Sequence, residues 1–149
     1  MNNYISVDIK KRKLKALGKK IILEQSKEFN NLTKYQIFGK YLYITSTKPF
    51  TKQIVSKYKL YSAILCDPNK QTIYKRIKNI IPKNIQYSTF AINVERKGEH
   101  KFTSTELARE VAGSVFDLFP DIKVNLDKPE LKVNIKIHNN KAIIYAGKK

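Results

Sequence analysis

Between Phe90 and Lys101 the chain reads FAINVERKGEHK, an alternating apolar run that ends in Arg96-Lys97-Gly98-Glu99-His100. Two cations and an imidazole on a turn after a strand suit one kind of chemistry. Lys and Arg hold phosphate oxygens, and a ring stacks on an unpaired base. The groups that make or break bonds are missing from the sequence. It has no Gly-rich nucleotide loop, no Asn-Pro-Pro-aromatic motif for methylating a base amine and no paired cysteines for sulfur chemistry. It also lacks a His-Glu with Pro-Cys-x-x-Cys for deamination. Asp67-Pro68-Asn69 is a turn. The single cysteine, Cys66, lies in the apolar run Ala63-Ile64-Leu65-Cys66 and reads as a core thiol. Alone it forms no internal disulfide and no usual zinc cluster. The expectation is a chain that is not an enzyme by itself and that needs neither cofactor nor metal.

Thirty Lys and Arg against twelve Asp and Glu leave a formal charge of +18 on 149 residues, more than solubility asks of a small domain. Clustered cations release counterions from a phosphate backbone, so the excess fits a polyanionic partner. A Lys-rich compositional bias is the plain alternative, but a thermophile bias enriches Glu alongside Lys, and acids are scarce here. An anionic membrane surface would also accept the charge. No stretch approaches the ~20 apolar residues of a bilayer span, and no long apolar run follows the N-terminus, which predicts a soluble, cytoplasmic protein.

These side chains need elements to hold them. Tyr4–Ile9 alternates as a strand, and Leu14, Leu17, Ile21, Ile22 and Gln25 recur at helical spacing through Leu32, with lysines outside. Tyr35–Phe38 and Tyr41–Thr45 flank a Gly39-Lys40 turn and predict a hairpin. Phe50 to Leu60 reads as a second helix, and Tyr61–Cys66 as a strand or that helix's end. Ile73, Ile77, Ile80 and Ile81 line a helix from Lys70 that Pro82 stops. From Tyr87 a strand leads into the basic loop. Thr103 and Glu106 then have the spacing of a capping box, Phe102 and Leu107 that of a hydrophobic staple. Leu107, Val111, Val115 and Leu118 face inward, with Ala108, Ala112 and Gly113 allowing close approach to a sheet. Lys123–Leu126 is a short strand. Leu131, Val133, Ile135 and Ile137 alternate with Lys132, Asn134, Lys136 and His138, implying one buried and one basic face. Asn139-Asn140 turns the chain back into Ala142–Ala146.

The order and spacing of the later pieces resemble the THUMP domain, a module of tRNA-modifying enzymes. The resemblance is carried by Phe90-x-Ile92-x-Val94-x-Arg96-Lys97-x-x-His100-x-Phe102, by Thr103-Ser104-x-Glu106 opening a helix that contains Gly113, and by Val124-Asn125-Leu126-Asp127-x-Pro129. The alternating strand and Ala142-Ile143-Ile144-Tyr145 complete it. The first half is similar to the ferredoxin-like domain that precedes THUMP in such enzymes. Within it, Lys48-Pro49-Phe50 through Leu65 resembles the archaeal guanosine-N2 tRNA methyltransferases. The implied fold is of the α+β and α/β classes, a ferredoxin-like domain over 1–84 packed with a THUMP α/β domain over 85–149.

The resemblance implies recognition of structured tRNA, with the acceptor stem and its single-stranded 3′ end docking between the two halves. By position, Arg96, Lys97, His100 and Lys101 occupy the basic loop and Arg109 the helix. Asn125 and Lys128 flank the short strand, and Lys132 and Lys136 extend the polar strand face. Two of these have structural alternatives: His100 as a partner in turn hydrogen bonds, Asn125 as a turn former. Lys10–Lys13 and Lys19-Lys20 form either a second patch or a solvated face. Three roles stand open. The first is a subunit that presents tRNA to a catalytic partner, a methyltransferase first, or an adaptor for cytidine acetylation. The second is the N-terminal part of a longer methyltransferase or 4-thiouridine synthetase. The third, of another class, is a scaffold for acidic surfaces.

Overall fold

The computed structural model describes residues 2–6, 11–28 and 33–147. The chain divides into two compact units, Met1–Ser62 and Ala63–Lys149. The first holds β1 (Asn2–Ser6), α1 (Lys11–Glu28), β2 (Thr33–Phe38), β3 (Tyr41–Ser46), α2 (Lys52–Lys57) and the opening residues of β4 (Leu60–Cys66). Its strands are antiparallel in the order β2-β3-β1-β4. Leu14 and Ile21 of α1 are buried with Leu42, Ile44, Phe50, Ile54 and Leu60. Gly18 lets the helix close on β2, because a Cβ there would lie 2.8 Å from the Tyr35 ring.

The helix expected over Phe50 to Leu60 is shorter. Thr51 caps it, its hydroxyl accepting from the Ile54 N–H at 3.3 Å, and it ends at Tyr58 because Lys59 turns to φ 52°. That break frees Leu60–Cys66 to be a strand. The expected first strand ran on to Ile9 and the first helix to Leu32; residues 7–10 and 29–32 lie outside the described residues.

In the second unit Ala63–Cys66 of β4 pair with β8 (Lys141–Gly147), which pairs with β7 (Leu131–His138). β7 runs parallel to β5 (Thr89–Lys97), and β5 parallel to β6 (Lys123–Val124). Helices α3 (Lys70–Ile80) and α4 (Ser104–Leu118) complete the unit. Ile73, Ile77 and Ile81 share one buried cluster with Phe90, Leu107, Val111, Val115, Val133, Ile135 and Ile144. The division therefore falls inside β4, between Ser62 and Ala63, and differs from the boundary read near residue 84. Pro82 ends α3 without ending the domain, since the helix's apolar face is buried with residues later in the chain.

Helix α4 starts as its sequence requires, with the Thr103 hydroxyl accepting from the Glu106 N–H at 3.1 Å and Phe102 and Leu107 both buried. The Glu106 carboxylate meets the Thr103 hydroxyl at 3.3 Å, closing the box through side chains. Gly113 serves a helix and not the sheet: a Cβ there would lie 3.0 Å from the Tyr74 hydroxyl of α3. Ser114 Oγ donates to the Tyr74 carbonyl at 2.6 Å, fixing the two helices at close range.

Candidate nucleic-acid interface

Alternation along β5 turns Phe90, Ile92 and Val94 toward the helix-side core, and the strand runs out in the exposed pair Arg96 and Lys97. The next residue, Gly98, has φ 111°. The β7–β8 turn sits directly against it. Asn139, itself at φ 55°, donates its backbone N–H to the Lys97 carbonyl at 2.8 Å, and His138 is the register partner of Lys97.

One imidazole joins loop and turn. His100 Nε2 lies 2.7 Å from the Asn139 carbonyl; a carbonyl only accepts, so Nε2 carries the hydrogen. That leaves Nδ1 as the acceptor for Arg96 Nη1 at 3.0 Å. The same Nη1 donates to the Gly98 carbonyl at 3.0 Å. The ring stacks on buried Phe102 with centroids 5.6 Å apart and planes at 22°. His100 is thus a partner in turn hydrogen bonds, one of its two sequence readings. Its effect is to hold the Arg96 guanidinium in place beside exposed Lys97 and Lys101. A cation held before its ligand arrives loses less side-chain freedom on binding.

The remaining candidates divide. Arg109 is exposed in the second turn of α4, which begins just beyond this loop. Asn125 accepts from the N–H groups of Asp127 and Lys128, each at 3.1 Å, and gives its own N–H to the Phe90 carbonyl at 2.9 Å. It is a turn former at the start of β5. Lys128 is exposed and Lys132 half-buried there, Lys132 lying opposite Ala91. From Phe90 to Lys97 the strand rises about 23 Å at ~3.3 Å per residue, so Asn125, Lys128 and Lys132 sit at the far end from Arg96, Lys97, His100 and Lys101. Lys136 belongs to neither group. It is 6% exposed, and its Nζ lies 2.9 Å from Glu95 Oε1, its register partner on β5. The basic face expected on this strand is therefore closed at its centre.

Sequence reading missed that Asn139 and His138 adjoin the basic loop. Asn139-Asn140 signalled a hairpin, but only the parallel pairing of β5 with β7 brings that hairpin to the basic loop. Such pairing leaves no local pattern.

Cys66 is pushed up to about 11, chiefly by burial, with Arg76 pulling the other way. A raised value keeps the thiol protonated through neutral pH and withholds the reactive thiolate. Labelling by a chromogenic disulfide at pH 8 should run at least about 100-fold slower in the folded than in the unfolded chain, and should accelerate toward pH 11. Equal rates would show an accessible thiolate. Among the described residues no group of three or more His, Cys, Asp or Glu could hold a metal, and no helix is long and apolar enough to cross a membrane.

A family model described as "THUMP domain" matches residues 68–146. The tRNA sulfurtransferase of Tolumonas auensis is 37% identical over 67 residues, 45% of this chain and 14% of that protein. That of Vibrio campbellii is 33% identical over 69 residues, 46% and 14%. The matched part is thus about one seventh of these relatives' length. Among solved structures, PH1313 from Pyrococcus horikoshii aligns with a TM-score of 0.76 at 15% identity, covering 99% of this chain and 54% of its own. A 4-thiouridine synthetase, solved as an RNA complex with bound ATP, aligns at 0.73 and 12%, covering 99% and 41%. At such identities the likeness is one of fold.

Proposed function

The chain belongs to the THUMP domain family, and from that premise we propose that it is the tRNA-holding part of a tRNA-modifying system whose chemistry resides elsewhere. The observation that carries this reading is the basic loop locked by His100 and Asn139: Arg96 is fixed in position, and Lys97 and Lys101 stand exposed around it. Such a constellation grips phosphates and discriminates structured RNA through its fixed geometry. It supplies no nucleophile and no general base poised on a substrate. The acceptor stem and its 3′ end are the part of tRNA this module meets, in the cytoplasm. Arg109 extends the grip along α4, while Lys128 and Lys132, about 23 Å away along the strands, form a separate contact. Asn125 and Lys136 act by holding structure.

The order of β1, α1, β2, β3, α2 and β4, with antiparallel strands in the order β4-β1-β3-β2, supports a ferredoxin-like first unit. The relatives by sequence are named tRNA sulfurtransferases, which moves sulfur transfer ahead of methyl transfer as the reaction served. With one cysteine in this chain, the sulfur-handling groups belong to another domain or polypeptide.

The test is binding to tRNA, to tRNA trimmed of its single-stranded 3′ end, and to heparin, at several salt concentrations. Intact tRNA should bind tightest. Replacing Arg96 and Lys97 by Ala should weaken binding roughly tenfold and make the plot of log K against log salt shallower by about 2 units, one per lost phosphate contact. Equal affinity for trimmed tRNA would sink acceptor-end recognition, and equal affinity for heparin would leave only a polyanion scaffold.

A further inference from the structure

Charge is unevenly shared between the two units. Residues 1–62 hold fourteen Lys and Arg against three Asp and Glu, a net +11, while residues 63–149 hold sixteen against nine, a net +7. The shorter unit, outside the matched family domain, carries the larger share. Helix α1 concentrates it. Lys13, Lys15, Lys19 and Lys20 are all exposed, and from Lys11 to Leu23 there is no acid. Leu14, Ile21 and Gln25 are fully buried and Gly18 lies against Tyr35, so one stripe is committed to the core and the lysines occupy the remaining arc.

This placement works against the helix itself. The first turn has no acidic residue, although the N-terminal end of the macrodipole favours anions and repels cations. Lys57 of the same unit is paired: its Nζ lies 3.0 Å from Glu24 Oε1. Hydrogen bonds from Tyr58 and Lys57 hold the Glu24 carboxyl below the ordinary range, with Lys20 adding a weaker pull. The first acid of the helix beyond the cationic arc is therefore already engaged by Tyr58 and Lys57, and among the described residues no ion pair joins Lys13, Lys15, Lys19 or Lys20.

We propose that the outward face of α1 is a second RNA-contact surface, which holds the phosphate backbone of a helical RNA stem irrespective of its sequence. The proposal rests on the tRNA reading above. The partner follows from what the face contains. Among the described residues its exposed side chains, Lys13, Lys15, Ala16, Lys19, Lys20, Leu23 and Ser26, include no ring to stack an unpaired base and no guanidinium to read a base edge. Lysines are point charges suited to phosphates. From Lys13 to Lys20 the helix rises about 10 Å at ~1.5 Å per residue, and at ~3.6 residues per turn Lys13 with Lys20 and Lys15 with Lys19 form two rows that flank Ala16 and Leu23, able to meet phosphates on either side of the helix axis. Leu23, 59% exposed, is the one feature an anionic membrane would use better.

The experiment uses the full chain carrying K13Q, K15Q, K19Q and K20Q together, with folding checked by its thermal melt, since Gln retains helix propensity. Binding is measured to intact tRNA, to a blunt RNA duplex and to phosphatidylserine vesicles, beside R96A/K97A. The lysine variant should lose at least tenfold in affinity for tRNA and duplex alike, with the salt slope shallower by about 2–4 units. Unchanged RNA affinity and slope, with R96A/K97A still weakened, overturns the α1 surface and leaves the tRNA reading standing. Loss of vesicle binding with RNA binding intact overturns it in favour of a membrane. Weakening by the lysine variant alone upholds α1 and removes the basic loop.

Discussion

Replacing Gly98 by valine is expected to lower the unfolding free energy by about 2–5 kcal/mol and to reduce tRNA affinity at least as much as removing Arg96 and Lys97. Two physical costs add at this position. A φ of 111° is open to glycine and strained for a β-branched residue. A Cβ would also stand 2.7 Å from Asn139 Oδ1 and 3.1 Å from the Asn139 Cα. The side-chain oxygen can rotate away, but the backbone atom cannot without moving the turn. Moving the turn takes with it the carbonyl that fixes His100, and His100 in turn releases Arg96. Chemical denaturation measures the first effect and a binding titration the second. If affinity stayed at the wild-type level while stability fell, the order of the loop would be irrelevant to RNA. The companion change Asn139→Gly separates the costs: it removes the side-chain clash partner, keeps a residue able to adopt positive φ and retains the carbonyl, so it should be much milder.

That dependence marks where sequence reading succeeds and where it stops. The hairpin around Gly39, the helices from Leu14 and Ile73, the cap at Thr103 and the staple of Phe102 with Leu107 were all legible, because each is written within a few residues by periodicity or by a cap. The split between the units was not. Ile73 and Ile77 look identical whether their helix packs with the strands before it or with those after it, and Pro82 gives a local stop with no information about partners. The short α2 shows the same limit, since nothing in Phe50 to Leu60 announces that Lys59 takes a positive φ. For the candidate interface, the residue types of the basic loop were readable, but the clamp that holds it was not. His100 lies 39 positions from Asn139, and only the parallel register of β5 with β7 brings them together. Lys136 is the opposite case. Its alternation with Ile135 and Ile137 promised a solvent-facing cation, yet nearly every position of β7 is buried, as befits a strand flanked on both sides.

Removing Glu95 should then cost more than removing its partner. Lys136 is 6% exposed, while Glu95 is 45% exposed, across a 2.9 Å ion pair. Glu95→Ala leaves an ammonium inside the sheet with its carboxylate gone, and a stranded buried charge is costly. The expected loss is about 1–3 kcal/mol, below the ~3–5 kcal/mol of a wholly buried pair, since water already screens the Glu95 side. Lys136→Met keeps the length of the stem, removes the charge that needs compensation and leaves Glu95 able to turn to solvent. Its stability should stay within about 1 kcal/mol of the wild type. Denaturant midpoints at constant slope give both numbers. The RNA readout discriminates further: if Lys136 serves the strand and not the ligand, Lys136→Met retains tRNA affinity and the salt slope of binding. A slope shallower by about 1 unit would mean that the ion pair opens and the lysine reaches a phosphate after all. Glu95→Ala should still bind RNA wherever it is folded, because Arg96 is held by His100 and the Gly98 carbonyl.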